Sequence, residues 1–280
     1  MRYDATMSRG FAKIGSKVRR QRSGGGRSAG LSYSWAGAGE PVLLIHGNLA
    51  GKSWWREVMS EPAPGYRYVA PDLPGFGESG KGEGFQPSIR GYARSLLLYL
   101  DHAGLERASL VGHSLGGAVA MELVSQAPDR FSALLLVDSV SPAGLHTPFY
   151  YYPYLRSLRG DREAIHRALQ TAMASRVPPY FEELVDEAAR MHPASFPGNA
   201  QALDDWEAGE KLEWYGGPVK VMAGERDSLT SPLVASETAA TFRHADRVSI
   251  VRLPGVGHSP QIEAPQSFRS ELSSLLAASD

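Results

Sequence analysis

A serine sits inside a glycine frame at Gly112-His113-Ser114-Leu115-Gly116, directly after the apolar run Ser109-Leu110-Val111 and directly before Gly117-Ala118-Val119-Ala120. This pattern predicts a short strand that turns abruptly into a helix of small residues, with the Ser114 hydroxyl on the corner. Gly112 and Gly116 suit so sharp a turn, because a Cβ at either place would meet the returning backbone. The helix beginning at Leu115 would aim its unpaired N–H groups, and the positive end of its dipole, at whatever the serine attacks.

A serine hydroxyl is a weak nucleophile at neutral pH and needs a base, for which a histidine with an ordinary pKa near ~6.5 is suited. That base needs a carboxylate to fix its tautomer and stabilise the imidazolium. Two late loops supply both, Gly224-Glu225-Arg226-Asp227 and Gly255-Val256-Gly257-His258-Ser259-Pro260. The chain order serine, aspartate, histidine, with each residue on a loop after a different strand, points to acyl transfer.

The elements that must carry these loops follow from the hydrophobic pattern. Residues 31–35 read as an early strand, and Pro41-Val42-Leu43-Leu44-Ile45 as a strand covered on both faces. That run ends in the small-residue loop His46-Gly47-Asn48-Leu49-Ala50-Gly51, after which Ser53 is placed to cap a helix through Trp54, Trp55 and Met59. A strand at 66–70 closes in Pro71-Asp72-Leu73-Pro74-Gly75-Phe76-Gly77-Glu78-Ser79, and residues 88–103 carry helical spacing. The run at 134–137 is another buried strand, ending in Asp138. Strand and helix in this rhythm predict a parallel sheet with helices on both faces, and ligands on such sheets sit at the carboxyl ends of the strands.

From 141 to 216 the rhythm breaks. An aromatic cluster, Phe149-Tyr150-Tyr151-Tyr152 between Pro148 and Pro153, precedes two helical stretches at 161–174 and 179–191, and no strand is convincing. This interval is expected to be a helical cap inserted into a core made of 31–140 and 217–280. Within that core the alternation resumes with a strand at 219–223, a helix at 232–242, a strand at 248–253 and a closing helix at 265–276. Trp54, Trp55, Tyr151 and Trp206 are candidates to line a substrate pocket, against the simpler expectation that they pack core and cap.

Composition narrows the partners. The chain has 280 residues, 42% hydrophobic and 21% charged, with no cysteine, so disulfides and thiolate metal sites are excluded. A formal net charge of -1 gives no global argument for nucleic acid or a membrane surface. Apolar runs fall far short of the roughly 20 residues of a membrane span. Residues 1–30 are expected to form a basic flexible arm: Arg2, Arg9, Lys13, Lys17, Arg19, Arg20, Arg22 and Arg27 oppose only Asp4, and 23–30 is rich in Gly, Ser and Arg. No apolar stretch follows the charges, so the arm is not read as a signal peptide and a cytoplasmic location is expected. The spacing of His102, His146, His166, His192 and His244 matches no metal motif, and neither metal nor cofactor is expected.

Taken jointly, His46-Gly47-Asn48, Asp72-Leu73-Pro74-Gly75-Phe76-Gly77-Glu78-Ser79, Gly112-His113-Ser114-Leu115-Gly116-Gly117, Gly224 with Asp227, and Gly257-His258 with Pro260 and Glu263 resemble the α/β-hydrolase fold enzymes of the cap-bearing type. The resemblance runs from about Leu31 to the C-terminus. It implies a mostly parallel central sheet flanked by helices, Ser114 as nucleophile, Asp227 as triad acid, His258 as base, and the backbone N–H groups of Asn48 and Leu115 as oxyanion hole. Some hydrolases of this fold take their acid from the earlier loop, where Asp138 stands; Asp227 is preferred because its loop resembles the usual acid turn, one strand before His258. His46 and His113 are expected to shape loops. Related dehalogenases pair an aspartate nucleophile with an asparagine at the position of Asn48, and Ser114 argues against that chemistry here.

The expected activity is hydrolysis of small to medium, partly apolar carboxylic esters through an acyl-enzyme. A lactonase, a carbon–carbon bond hydrolase, an amidase and a cofactor-free haloperoxidase are rivals within the same class. The carbon–carbon hydrolases usually resemble Gly-Asn-Ser at the elbow, where this chain has Gly112-His113-Ser114. A non-catalytic ligand receptor on the same fold is the rival from another class, and an intact Ser114, Asp227 and His258 argues against it. The natural substrate and the oligomeric state are not written in any motif.

Overall fold

The computed structural model describes residues 23–278. Eight strands among them form one sheet, β1 (Ser23–Ser28), β2 (Leu31–Gly37), β3 (Glu40–Ile45), β4 (Tyr66–Pro71), β5 (Ala108–His113), β6 (Phe131–Val137), β7 (Val219–Gly224) and β8 (Val248–Leu253). Their order across the sheet is β1-β2-β4-β3-β5-β6-β7-β8. β2 runs antiparallel to both β1 and β4, and every pairing from β4 to β8 is parallel.

The central strands are buried on both faces, and their side chains alternate between two apolar layers. Leu43, Ile45, Leu110, Leu134 and Leu136 face one layer, while Val42, Leu44, Val111, Leu135 and Val137 face the other. The first layer is closed by α2 (Ile89–His102), α3 (Leu115–Gln126) and α8 (Pro232–Thr241); the second by α1 (Arg56–Met59) and α10 (Pro265–Leu276), which follows the single turn α9 (Pro260–Glu263). Ser88 caps α2 by accepting from the Gly91 N–H at 3.1 Å, and Ser231 caps α8 by accepting from Leu233 N–H at 3.3 Å. Buried residues run along α3 without a break from Leu115 to Val124, so this helix is clamped between sheet and further helices.

Between β6 and β7 lie α4 (Tyr152–Ser157), α5 (Arg162–Thr171), α6 (Phe181–Ala189) and α7 (Ser195–Asp204), with short 3-10 turns at Phe149–Tyr151 and Glu210–Trp214. Asp161 caps α5 by accepting from the Ala164 N–H at 2.9 Å. No helix among the described residues is long and apolar enough to cross a membrane.

Two expectations need correction. Residues 23–28, read from their Gly, Ser and Arg content as linker, form β1, which pairs with β2 from Ser23 opposite Ala36 to Ser28 opposite Leu31. Trp35 and Tyr33 on β2 fill the space that side chains at Gly24 and Gly26 would take, so glycine content here reflects close cross-strand packing. The remainder of the basic arm, 1–22, lies outside the described residues. Ser53 does not cap a regular helix either: a 3-10 turn at Lys52–Trp55 precedes the single turn of α1, and the Ser53 hydroxyl bonds to Glu187 of α6.

A close crossing lies where α3 leaves β5 beside β3. A Cβ on Gly116 would overlap the carbonyl oxygens of Ile45 and His46, which are backbone and cannot swing away. Gly116→Ala should therefore destabilise the protein by about 1–3 kcal/mol, seen as a drop of several degrees in Tm by calorimetry. A Tm unchanged within a degree would mean that the crossing is looser than described.

Candidate active site

Ser114 stands at the corner between β5 and α3 with φ 54° and ψ -119°, in the positive-φ region that L-residues avoid. Such a backbone costs about 1–3 kcal/mol and persists only where the surroundings over-determine it. Here its N–H donates to the Val137 carbonyl at 3.0 Å and its own carbonyl accepts from Gly117 N–H at 2.8 Å, so both neighbours of the turn are pinned. Leu115 is the first residue of α3, and its N–H has no carbonyl a turn earlier to bond.

The loop after β3 runs against this corner. A Cβ on Gly47 would lie 2.9 Å from His113 Nδ1 and 3.1 Å from Ser114 Cβ, so the backbone of 46–48 approaches the serine directly. His46 is fully buried; its Nδ1–H donates to the Gly47 carbonyl at 2.8 Å and its Nε2 accepts from Leu73 N–H at 3.0 Å. Burial holds its pKa below the ordinary histidine value, which keeps it a neutral brace between two loops. The Leu73 loop is fixed in turn by buried Asp72, which accepts from Lys52 N–H at 2.7 Å, Lys52 Nζ at 2.6 Å and Glu78 N–H at 3.0 Å. The amide of Asn48 is oriented through a relay: Tyr92 donates to Asn199 Oδ1 at 2.7 Å, and Asn199 Nδ2 donates to Asn48 Oδ1 at 2.7 Å. The two Nδ2 hydrogens of Asn48 remain its donors.

His258 and Asp227 meet as expected from their loops, with Nδ1 of the imidazole donating to Asp227 Oδ2 at 2.8 Å. Their side chains are 7% and 1% exposed. Asp227 also accepts from Thr230 Oγ1, from Leu229 N–H at 2.7 Å and from Thr230 N–H at 3.2 Å. Burial alone would push this carboxyl up, but the His258 hydrogen bond and the donors of 229–230 outweigh it and hold the pKa down at about 2. Asp138 does not occupy the place beside Nδ1; it sits behind, at φ 39°, accepting from Gly224 N–H at 2.9 Å.

His113 packs its ring 5.0 Å from that of His258 and stacks on Trp54 at 6.1 Å. Its Nε2–H donates to the His258 carbonyl at 2.7 Å, while burial, assisted by the neighbouring His258, pushes its pKa down to about 3. It therefore stays neutral and acts on the backbone of the loop.

Glu263 is the member of this site whose role spacing does not reveal. Its buried carboxylate accepts from Gly257 N–H at 3.0 Å and Ser259 N–H at 3.1 Å, on either side of His258. The same carboxylate accepts from Ala174 N–H, Ser175 N–H and Ser175 Oγ at 2.8 to 2.9 Å, all between α5 and α6. His258 N–H donates to the Ala172 carbonyl at 2.8 Å. The histidine loop is thus tied to the segment between α5 and α6. Its partners at 174–175 are distant in the chain and leave no local trace in the sequence.

Of the pocket candidates, Trp54 lies over His113. Trp55 is fully buried in the opposite layer against Phe268 and does not face the serine side. Tyr151 is 51% exposed, in a ladder of rings with Tyr150 and Tyr154, and Trp206 is buried with its Nε1–H spent on Glu122 at 2.8 Å. Trp55 and Trp206 are thus held in packed layers, and Tyr151 in a half-exposed ring cluster. Asp138, Asp227 and His258 bring one potential ligand atom each within 4.8 Å of one another, but both Asp227 oxygens already receive N–H or O–H donors. The set is arranged to orient an imidazole, not to wrap a cation.

The sheet order, the sharp serine corner and the late acid and histidine loops define a serine hydrolase of the α/β type. The chain belongs to the α/β hydrolase fold family, whose model matches residues 40–265. It is 30% identical over 261 residues to the 2-hydroxymuconate semialdehyde hydrolase of Pseudomonas sp. (strain CF600), covering 88% of this chain and 89% of that protein. It is 29% identical over 261 residues to the 2-hydroxy-6-oxo-2,4-heptadienoate hydrolase of Pseudomonas putida F1, covering 87% and 91%. In three dimensions it is similar to the enol-lactonase from Burkholderia xenovorans LB400, with a TM-score of 0.78 at 18% identity over 91% of this chain and 100% of that one.

Because the Asp227 pKa falls from 3.8 to about 2 on folding, its ionised form stabilises the native state above pH 4, and that stability is lost as pH falls toward 2. Asp227→Asn should accordingly remove about 2 kcal/mol of the pH dependence of unfolding in that window. Urea titrations across the window check this; an equally steep loss in the variant would contradict it.

Proposed function

We propose that this protein hydrolyses small to medium, partly apolar carboxylic esters by a two-step acyl-enzyme mechanism. The observation that carries the reading is the 2.8 Å bond from His258 Nδ1 to Asp227, on a loop next to a serine held at φ 54° at the head of α3. With Nδ1–H committed to the carboxylate, the lone pair of Nε2 is the free base. Ser114 Oγ attacks the ester carbonyl as its proton passes to His258 Nε2, and the Leu115 and Asn48 N–H groups receive the developing oxyanion. Collapse breaks the carbon–oxygen bond, and the departing alkoxide takes the proton from His258. Water then repeats the cycle and releases the acid.

In this reading the core comprises 31–140 and 217–280, extended by β1, and 141–216 is a cap. Support for a cap comes from the ties that cross the site's rim: Asn199 to Asn48, Glu187 to Ser53, and Ala174 and Ser175 to Glu263. An insertion so attached shapes the pocket from above.

Cleavage of a carbon–carbon bond is the second reading, favoured by the two curated relatives named above. The same serine and histidine would serve it. Two features favour the ester: the elbow carries His113 instead of asparagine, and two cations on adjoining loops, Lys52 and Arg176, are already paired. Lys52 pairs with Asp72 and Glu78 at 2.6 and 2.9 Å, and Arg176 with Glu57 at 2.8 Å, leaving them poorly suited to hold an anionic dienoate.

Ser114→Ala should lower kcat by on the order of 10⁴ to 10⁶-fold with the fold intact, and a fluorophosphonate should label the parent at Ser114 alone. Turnover of p-nitrophenyl esters of graded chain length, set beside a vinylogous 1,5-diketone acid, separates the readings. Preference for the diketone in kcat/KM by more than tenfold would replace the ester assignment with carbon–carbon cleavage.

A further inference from the structure

Asp138 is a buried carboxyl that the mechanism leaves unused. It ends β6, it is 3% exposed, and its backbone is in the positive-φ region, its N–H pinned to the Met222 carbonyl at 2.9 Å. One oxygen, Oδ1, accepts from Gly224 N–H at 2.9 Å; the other, Oδ2, receives no hydrogen bond although it is sealed from solvent. One oxygen of Asp138, one of Asp227 and a ring nitrogen of His258 lie within 4.8 Å of one another.

Two buried carboxylates at that separation, beside one imidazole, cannot both carry a charge cheaply. The choice between them is settled by their donors. Asp227 collects two backbone N–H groups, a threonine hydroxyl and the imidazole, whereas Asp138 collects one N–H and faces acids, Asp227 from the β7 loop and Glu263 from the histidine loop. Burial first, and the Asp227 charge second, lift the Asp138 pKa well above the usual carboxylate range.

We propose that Asp138 is a neutral carboxylic acid whose Oδ2–H donates to the Asp227 carboxylate, making it a positioning residue for the triad acid. The pair then holds one negative charge and one proton. The added donor occupies an Asp227 lone pair and lowers the basicity of that carboxylate. The histidine proton consequently stays on Nδ1, and the carboxylate plane is locked against the imidazole edge. The orphan oxygen is explained as well, since a protonated Oδ2 needs an acceptor and Asp227 is the one at hand.

This inference rests on Asp227 and His258 being the acid and base of the ester reading, so one arm of its test does not depend on turnover. The infrared spectrum of the full-length protein with ¹³C-labelled aspartate carboxyls should show a carboxylic acid C=O band at neutral pH that is absent in Asp138→Asn. A spectrum holding only carboxylate bands would overturn the proposal, whatever the substrate proves to be. In the second arm, Asp138→Ala should lose about tenfold in kcat on a p-nitrophenyl ester and move the acid limb of kcat/KM upward by about half a pH unit, because Asp227 becomes more basic. Asp138→Asn, which keeps a neutral donor, should recover most of that rate and return the limb to the parent's position. A limb in Asp138→Asn displaced downward by half a unit or more would reveal a lost negative charge beside His258, and Asp138 would then be ionised. Should Asp138→Ala fail to fold, the infrared arm and Asp138→Asn still decide.

Discussion

Everything at this site depends on how closely α3 crosses β3 as it leaves β5. The carbonyls of Ile45 and His46 fill the space where a side chain on Gly116 would go, and the Ser114 N–H reaches sideways to the Val137 carbonyl of β6. Three parallel strands thereby hold one serine in a backbone conformation that the chain would not choose alone. The same closeness sets the start of the helix beside the loop after β3. A looser crossing would relax the serine into an ordinary turn.

Around that corner the protein places three buried carboxyls near His258 and gives each a different set of donors. Asp227 is surrounded by donors and stays ionised, held at about 2. Glu263 accepts from backbone N–H groups of the histidine loop and of residues 174–175. Asp138 has one donor and two acidic neighbours, and its charged form is disfavoured. In the proposed mechanism, the choice of Asp227 as triad acid follows less from position along the sheet than from the number of N–H and O–H groups aimed at it. His46 and His113 belong to the same logic: both are desolvated into neutral braces, leaving His258 as the imidazole bonded to a carboxylate at the corner.

The elements and the order of the site loops could be read from local sequence because each obeys a short-range rule. The continuous apolar runs at 41–45, 109–111 and 134–137 have the composition that a strand covered on both faces requires, and they became β3, β5 and β6. Ser88 and Asp161, each ahead of an amphipathic stretch, cap α2 and α5. Glycine misled where its cause was not local: in 23–28 it makes room for Trp35 and Tyr33 across a strand pair, which composition cannot distinguish from a flexible linker. Trp55 misled for a related reason, since a one-residue step from Trp54 turns a side chain to the opposite layer.

By itself, the sequence determined the family, the strand and helix rhythm, and the presence of a serine corner followed by an acid and a histidine on separate loops, because these depend on residue type and spacing along one chain. Tertiary structure decided which acid meets His258, that Glu263 grips Gly257, Ser259, Ala174 and Ser175 at once, and that Tyr92 and Asn199 orient Asn48. Apart from those of Glu263 to Gly257 and Ser259, these contacts join residues 31 to 151 positions apart. Hydrogen bonding and charge act over a few ångströms in space, and only the closing of the sheet and the packing of its inserted helices bring such groups within that reach.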